Sequence, residues 1–535
     1  MIAHGDIPFE LLSLLLYAET HYRFRFFISS LMKNEPEIIA DAPFRVEPGD
    51  AIPVLLVAKD GDRFPVLLKA ATVVVSQGGR EIKRLEIIRT PQKLFKKWWW
   101  KIADIPVEGL KGWVDLDVMF DVEVGGRRRT YHNDNHRTSS RSPLRVFVAS
   151  DPLPKIRGMI LGDLHTHSDR TDDQVEFGIP PAAAIRLARP LGLSFFAVTD
   201  HSYDLDDRVD SYLRNDPATP KWHALQREVD TLLDRYRDFA IIRGEEVSCR
   251  SGSGHNVHLL RLGSRVFIPG SGDGAERWFR TRSEHSVRDV LAEPDSAVSF
   301  AAHPVEDVPI LQRVLLHRGS WQDRDIRLPG LAGVQFANGS RRGFQRGLQQ
   351  WTRALLEGHR LIAVAGNDAH GNFNRFRQIG IPFFKIRESG EHIFGRMRTG
   401  VFASRLSEAA ILKSLKAGNC ILSDGPVATI HARTPDGRLI TMGSRTEHSE
   451  VWIEINVLST PELGTIDRVV LWTGTIGEAK ERPLYTVGGS TFTHTADLPC
   501  LFRRPSYVRL EVWTDRANEF DGRAHFCLTN PIWAG

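Results

Sequence analysis

Seven short apolar runs stand in the middle of the chain, and all but one end in residue types that can ligate metal ions. MILGDLHTH closes on His165 and His167, LSFFAVTDH on Asp200 and His201, and FAIIRGEEVS on Glu245 and Glu246. HNVHLLRL carries His255 and His258, AVSFAAHP ends at His303, GVQFANG at Asn338, and LIAVAGNDAH at Asp368 and His370. A lone histidine at a strand end is usually a satisfied polar residue. Recurrence of ligand types at nearly every run is a different signal, that of a metal site. Neutral imidazole mixed with carboxylate suits zinc, manganese or iron, and the lack of cysteine here argues against a structural zinc site. His165 and His167 are two apart, as are Asp368 and His370, so on an extended strand both members of a pair point to one side.

Bringing residues two hundred positions apart to one place requires a particular scaffold. From about residue 155 to 424 the apolar runs alternate with helical patterns. Lys221 to Asp238 places Trp222, Leu225, Val229, Leu232, Leu233 and Tyr236 at helical spacing, and Phe344 to Glu357 repeats the pattern ahead of a capping Gly358. Such alternation predicts an α/β region with parallel strands and crossover helices. In a closed parallel barrel the strand C-termini gather at one face, where active sites are built. Residues 264–283, with GSGDG inside, read as a surface insertion. Before this region, residues 10–33 look helical and 40–150 look β-like. Val114, Leu116, Val118, Phe120, Val122 and Val124 alternate with polar residues, and Gly125-Gly126 and Asp60-Gly61 supply hairpin turns. After it, Val451–Val457, Val469–Trp472 and Val508–Val512 predict a small β-sandwich. The expected division is 1–154, mostly β with a leading helix; 155–424, carrying the ligands; and 425–535, β-sandwich-like.

GDLHTHSDRTDD, AVTDHS, RGEEVS, NVHLLRL, AAHP and GNDAHG resemble, in order, the motifs of the PHP superfamily (polymerase and histidinol phosphatase domains) over about residues 158–424. The resemblance implies a distorted (β/α)7 barrel, up to three divalent ions and hydrolysis of phosphoesters. Carried over by position, His165, His167 and Asp368 hold a first metal. Glu246 bridges it to a second, completed by His258 and His303. Asp172, His201 and His370 take a third. Asp-Asp stands here where the family commonly has Asp-Gly, so Asp173 competes with Asp172; Glu245 competes with Glu246, and His255 with His258.

The implied chemistry is attack on phosphorus by a water that loses its proton between two divalent ions. Glu246 and Asp368 serve it as ligands, and Asp200 either orients His201 or caps the following turn. Arg170, Arg250 and Arg341-Arg342, with Asn338 just before the last pair, are candidate contacts for the substrate anion. The substrate class is a nucleotide, a sugar phosphate or a small phosphodiester. Two alternatives stay open: a carbamate or carboxyl-ester hydrolase of the same fold, towards which the "GHN" around His255 leans, and a catalytically idle barrel whose β domains bind glycan or protein. Trp98-Trp99-Trp100 and Arg127-Arg128-Arg129 read as core and as a solvated hairpin tip. No G-x-S-x-G and no P-loop is present.

Composition narrows the partners. Among 535 residues, Lys and Arg number 70 against 66 Asp and Glu, a net charge of +4 that argues against a nucleic-acid polymer as partner. The four cysteines (Cys249, Cys420, Cys500, Cys527) follow no metal or redox spacing and lean towards a reducing compartment. The opening MIAHGDIPFELLSLLLYAET has no basic n-region, and no run approaches a membrane span, so the expectation is a soluble, cytoplasmic enzyme.

Overall fold

The computed structural model describes residues 35–135, 141–172, 177–272, 281–308, 310–339, 341, 343–374, 378–381, 384–387 and 392–535. The helix expected over 10–33 lies outside them. No helix among the described residues is long and apolar enough to cross a membrane.

The seven apolar runs all form strands: β1 Met159–Thr166, β2 Phe195–Val198, β3 Ala240–Arg250, β4 Asn256–Leu262, β5 Val298–Ala302, β6 Leu331–Asn338 and β7 Ile362–Gly366. They lie side by side in chain order. The expected (β/α)7 barrel is nevertheless not what they build. Strand takes 46% of the molecule and helix 13%, in a large multi-sheet, sandwich-like architecture. β4 runs antiparallel to both β3 and β5, because only residues 251–255 separate β3 from β4. A parallel crossover needs a dozen residues or more, so so short a link forces a reversal. Among the described residues, the links before β5 and β6 carry only the short helices Val287–Leu291 and Ile310–Leu315. Longer helices do form at Pro181–Ala188, Pro220–Arg235 and Phe344–Leu356, the last ending, as expected, at a left-handed Gly358 with φ +89°.

The sheet also fails to stop at the edge of the central region. β8 (Arg398–Phe402) pairs antiparallel with β1, β9 (Cys420–Ser423) pairs with β8, and Ala524–Thr529 pairs with β9. From there it continues through Ser506–Ala517 and Ile466–Thr475, making one sheet of 15 strands. Asn530 locks the joint, its side chain bonding the main chain of Ala363 and Cys420 at 2.8–2.9 Å. Facing this extension is a four-stranded sheet of Val427–Arg433, Leu439–Thr441, Glu450–Leu458 and Thr493–Leu501.

The N-terminal region is two sheets around a core of Val54, Leu56, Val73, Val118 and Phe120. Strand Gly112–Val124 buries Val114, Leu116, Val118, Phe120 and Val122 as the alternation predicts, and Gly125-Gly126 turns it into Arg127–His132. Asp60-Gly61 makes no hairpin: Ile52–Lys59 before it and Val66–Gln77 after it join different sheets. Segment 264–272 is no surface insertion either, since Ser264, Ile268 and Ser271 are buried and the Ile268 N–H donates to Glu245. Residues 273–280 lie outside the described ones.

Candidate metal centre

Strand geometry decides between the neighbouring glutamates. Adjacent residues on β3 face opposite sides, and Glu246 takes the side on which the histidines collect. Glu245 turns away, accepting from the Ile268 N–H at 3.3 Å and from the Ser202 hydroxyl at 3.3 Å, and burial pushes its carboxyl up to about 8. On β4, His258 faces the cluster. His255 lies before the strand, its Nδ1 3.2 Å from the Ser253 hydroxyl, and takes no part.

Glu246 is wholly buried, and its two oxygens face different sets of rings. Oε2 lies 3.1 Å from His165 Nε2, 3.1 Å from His201 Nδ1 and 3.5 Å from His167 Nε2. Oε1 lies 2.9 Å from His258 Nδ1 and 3.2 Å from His303 Nε2. Asp368 faces the first set, with Oδ1 3.0 Å from His167 Nε2 and 3.2 Å from His165 Nε2. His370 stacks on His167 with ring centroids 3.9 Å apart. Three overlapping groups of potential ligand atoms result: His165, His167, Glu246 and Asp368; His201, Glu246 and His258; and His167, His201 and His370.

Burial alone raises the pKa of a carboxylate, yet Glu246 is held well below its usual range by His165, His258 and His201. Asp368 is held down similarly, with His165 the main opposing charge. Burial drives His201 down to about 3, whereas Glu246 and Asp368 outweigh burial at His165 and take it up to about 9. Despite their separation of 3.1 Å, Glu246 Oε2 and His165 Nε2 make no hydrogen bond. Buried polar atoms left in this way are rare in folded proteins. A carboxylate shared between two sets of imidazole nitrogens, with these atoms unsatisfied, fits divalent cations as the missing partners.

The ligands are held by strain and by outer partners. His303 and Asp368 adopt left-handed backbone, φ +29° and +53°, which non-glycine residues enter only at a cost of order 1–3 kcal/mol. Asp368 and His370 are therefore brought in by a turn beyond β7, not by strand alternation. That turn hydrogen-bonds back to β1: the His167 N–H donates to the Ala369 carbonyl at 2.9 Å. Gly366 allows the approach, since a Cβ there would stand 2.6 Å from the Cβ of His165. Gln335 Oε1 meets His165 Nδ1 at 3.1 Å, and Glu306 Oε2 lies 3.3 Å from His303 Nδ1. Such outer contacts fix which ring nitrogen is left for a metal. Buried Asp163 ties β1 to the neighbouring loop by accepting from the Asn367 side chain at 2.7 Å and the Gly395 N–H at 2.9 Å. Gln335 and Asp163 stand within motifs read only for their neighbouring ligands, and Glu306 lies two residues past the AAHP motif, so spacing gave no sign of them.

Other expected residues lie elsewhere. Asp172 is taken by Lys97 and, at 3.0 Å, by Lys221, which hold its carboxyl low against burial. It does not join His201 and His370 among the described residues, and Asp173 lies outside these. Asp200 pins the 168–171 loop by accepting from the Ser168 N–H at 2.6 Å, the Ser168 hydroxyl at 2.7 Å and the Thr171 hydroxyl at 3.1 Å, a different task from either orienting His201 or capping the turn after it. Arg170 is neutralised by Asp169 and Glu228. Arg250 donates to the Glu284 carbonyl at 3.2 Å, and Arg341 pairs with Asp424 at 2.8 Å under the C-terminal region. Arg342 lies outside the described residues. Asn338 accepts from the Gln335 amide at 2.7 Å, which places it one step behind His165. The arginine that lines the cleft over His258 and His303 is Arg318, alongside Asn256, Glu306 and Trp321.

No protein-family model matches the chain, and no curated protein matches it. Among solved structures, Bacteroides uniformis β-glucuronidase is 12% identical over 92% of this chain and 60% of its own, with a TM-score of 0.17. A putative β-galactosidase from Bacteroides fragilis is 8% identical over 93% of this chain and 73% of its own, TM-score 0.18. Trypsin-activated α-2-macroglobulin from Escherichia coli is 7% identical over 94% of this chain and 24% of its own, TM-score 0.15. This chain thus spans 60% of the length of the glucuronidase. Likeness at these scores carries no argument about fold or activity.

Proposed function

We propose that the chain is a metal-dependent hydrolase that cleaves a small phosphomonoester or phosphodiester. One observation carries the reading: the buried Glu246 presents each of its oxygens to a separate set of imidazole nitrogens, with Asp368 closing one set. The ordered motifs that resemble the PHP superfamily supply the reaction class. That part rests on the ligands and not on the architecture, since function lives in sites and one chemistry recurs on different folds.

His165, His167, Asp368 and Glu246 would hold one ion, Glu246, His258 and His303 a second with His201 beside them, and His167, His201 and His370 a third. Zinc, manganese and iron all suit this donor set. Bound there, the ions would supply an activated water and stabilise negative charge on phosphoryl oxygens. The chain's own part is positional. Gln335 fixes the His165 ring, and Glu306 faces the outer nitrogen of His303. Asp200 holds the 168–171 loop against β2. Arg318, lining the cleft at His258 and His303, would be the cation nearest a substrate anion there, the role first assigned to Arg170, Arg250 and Arg341.

Turnover of p-nitrophenyl phosphate, its bis-ester and 1-naphthyl N-methylcarbamate tests the reading. We expect hydrolysis of a phosphoester, lost on chelation and restored by zinc, manganese or iron. Hydrolysis of the carbamate alone would transfer the site to ester and carbamate chemistry. Inert protein with ions bound would leave a binding role.

A further inference from the structure

Where the N-terminal, central and C-terminal regions meet lies a cavity of about 110 Å³ that opens to solvent, room for one end of a small organic ligand. Two aromatic pairs form its apolar walls. Phe44 meets Phe520 edge-on with centroids 5.1 Å apart, and Trp113 meets Phe147 at 5.3 Å.

The charged groups on the walls are almost all accounted for. Arg45 binds Glu462 at 2.7 and 2.9 Å, lies 3.3 Å from Glu47 and donates to the Asp151 carbonyl at 3.0 Å. Arg396 binds Asp521 at 2.5 Å and the Gly339 carbonyl at 2.8 Å. Asp424 is satisfied by Arg341, Asn518 and the Phe526 N–H. Arg516 and Glu519, exposed at the rim, oppose each other in sign. Arg398 is the exception. It is 3% exposed and lines the cavity, and its one side-chain hydrogen bond among the described residues runs from Nε to the Gly395 carbonyl at 2.8 Å. No carboxylate of the described residues reaches it as an ion pair. A buried charge without a contacting counter-ion is costly, and the cost falls when a ligand supplies one.

We infer that this cavity is a binding site for a small monocarboxylate bearing an aromatic or branched apolar group, with Arg398 as its anion contact. A carboxylate matches the two terminal amino groups of one guanidinium. Asp424 and Glu462 on the same walls repel a dianion. Burial and the neighbouring Arg45 lower the Arg398 guanidinium to about 10, against the pull of Glu462, Asp424 and Glu47, none of which forms an ion pair with it. The site is separate from the metal centre, yet the segment holding Arg398 also donates from Gly395 to Asp163 and from Met397 to Asn367, at 2.9 and 2.8 Å. Both recipients brace the strand ends that carry the ligands.

Calorimetric titration of the full chain tests the inference with benzoate and N-benzoylglycine, against neutral benzamide and inorganic phosphate. We expect a carboxylate to bind at least about tenfold more tightly than benzamide, and Arg398→Met to remove at least about that factor. Glu246→Gln should leave carboxylate binding unchanged, which separates this site from the metal centre. Benzamide binding as well as the carboxylates, phosphate displacing them on equal terms, or binding lost in Glu246→Gln but kept in Arg398→Met would each overturn it. Should Arg398→Met fail to fold, photolysis of 4-benzoylbenzoate on the unaltered protein gives the answer. Adducts at Trp113, Phe147 or Phe520 support the site, and adducts confined to the cleft of His303 and Arg318 refute it.

Discussion

Glu246 and Asp424 are both fully buried carboxylates held well below the usual range, and they differ in what surrounds them. Asp424 meets donors built for it: the Phe526 N–H at 2.8 Å, Arg341 at 2.8 Å and the Asn518 amide at 3.0 Å. Among the described residues the Glu246 carboxylate meets only imidazoles, and its Oε2 has no hydrogen-bond donor despite a ring nitrogen 3.1 Å away. The first arrangement is complete within the chain and ties the C-terminal region to the central sheet. On the proposal above, the second is completed by cations. Buried polar networks reveal their role through such accounting, because satisfied groups stabilise and unsatisfied ones await a partner.

The largest effect expected from this contrast is on turnover. Glu246→Gln should leave a cooperatively melting protein whose phosphoesterase rate falls about a thousandfold, since several kcal/mol of transition-state stabilisation go with the ions. An undiminished rate would remove the bridging role. Asp424→Ala should do the opposite, costing about 3–5 kcal/mol of stability in denaturant unfolding because it strands the Arg341 charge in the interior. A loss under about 1 kcal/mol would make Asp424 as dispensable as a surface group.

The pH dependence sharpens the same difference. The folded pKa of Asp424 is depressed by His525 and Arg341 against the push of burial. Its contribution is then fully present above the unfolded value of about 3.9 and lost as pH falls below it. The gap between the unaltered protein and Asp424→Ala should therefore hold constant from neutral pH to about 5 and narrow in more acid solution; a gap that widens there contradicts the assignment. A smaller effect is expected at Gln335→Ala, where the loss of an outer partner of His165 should weaken metal affinity about tenfold in competition with a chelator. Least of all, Arg128→Ala on the exposed hairpin should shift stability by less than about 0.5 kcal/mol.

Much of this was legible in the residues themselves. Alternation marked the strand at Gly112–Val124, and apolar runs ending in ligands marked β1 to β7 and the histidines that converge on Glu246. The pairing of Glu246 over Glu245 and of His258 over His255 follows strand and motif position. What was not legible is tertiary. Asp172 is claimed by Lys97, 75 positions earlier in the bend before strand Trp98–Ile105, and Arg341 by Asp424, 83 positions later. Nothing in the local pattern of either arginine or aspartate announces such partners. The barrel expectation failed for a countable reason, the five-residue link 251–255, and because β9 offers its free edge to Ala524–Thr529. Asp368 and His370 do converge on the site, but through a left-handed turn that their two-residue spacing disguised as strand.

The central claim is most directly tested by metal analysis of the full chain, purified without chelator and compared with Glu246→Gln prepared in parallel. The account predicts about two to three equivalents of zinc, manganese or iron per chain, falling by at least one in the variant. A metal content near zero in the unaltered protein, with no gain on incubation with any of the three ions, would contradict it.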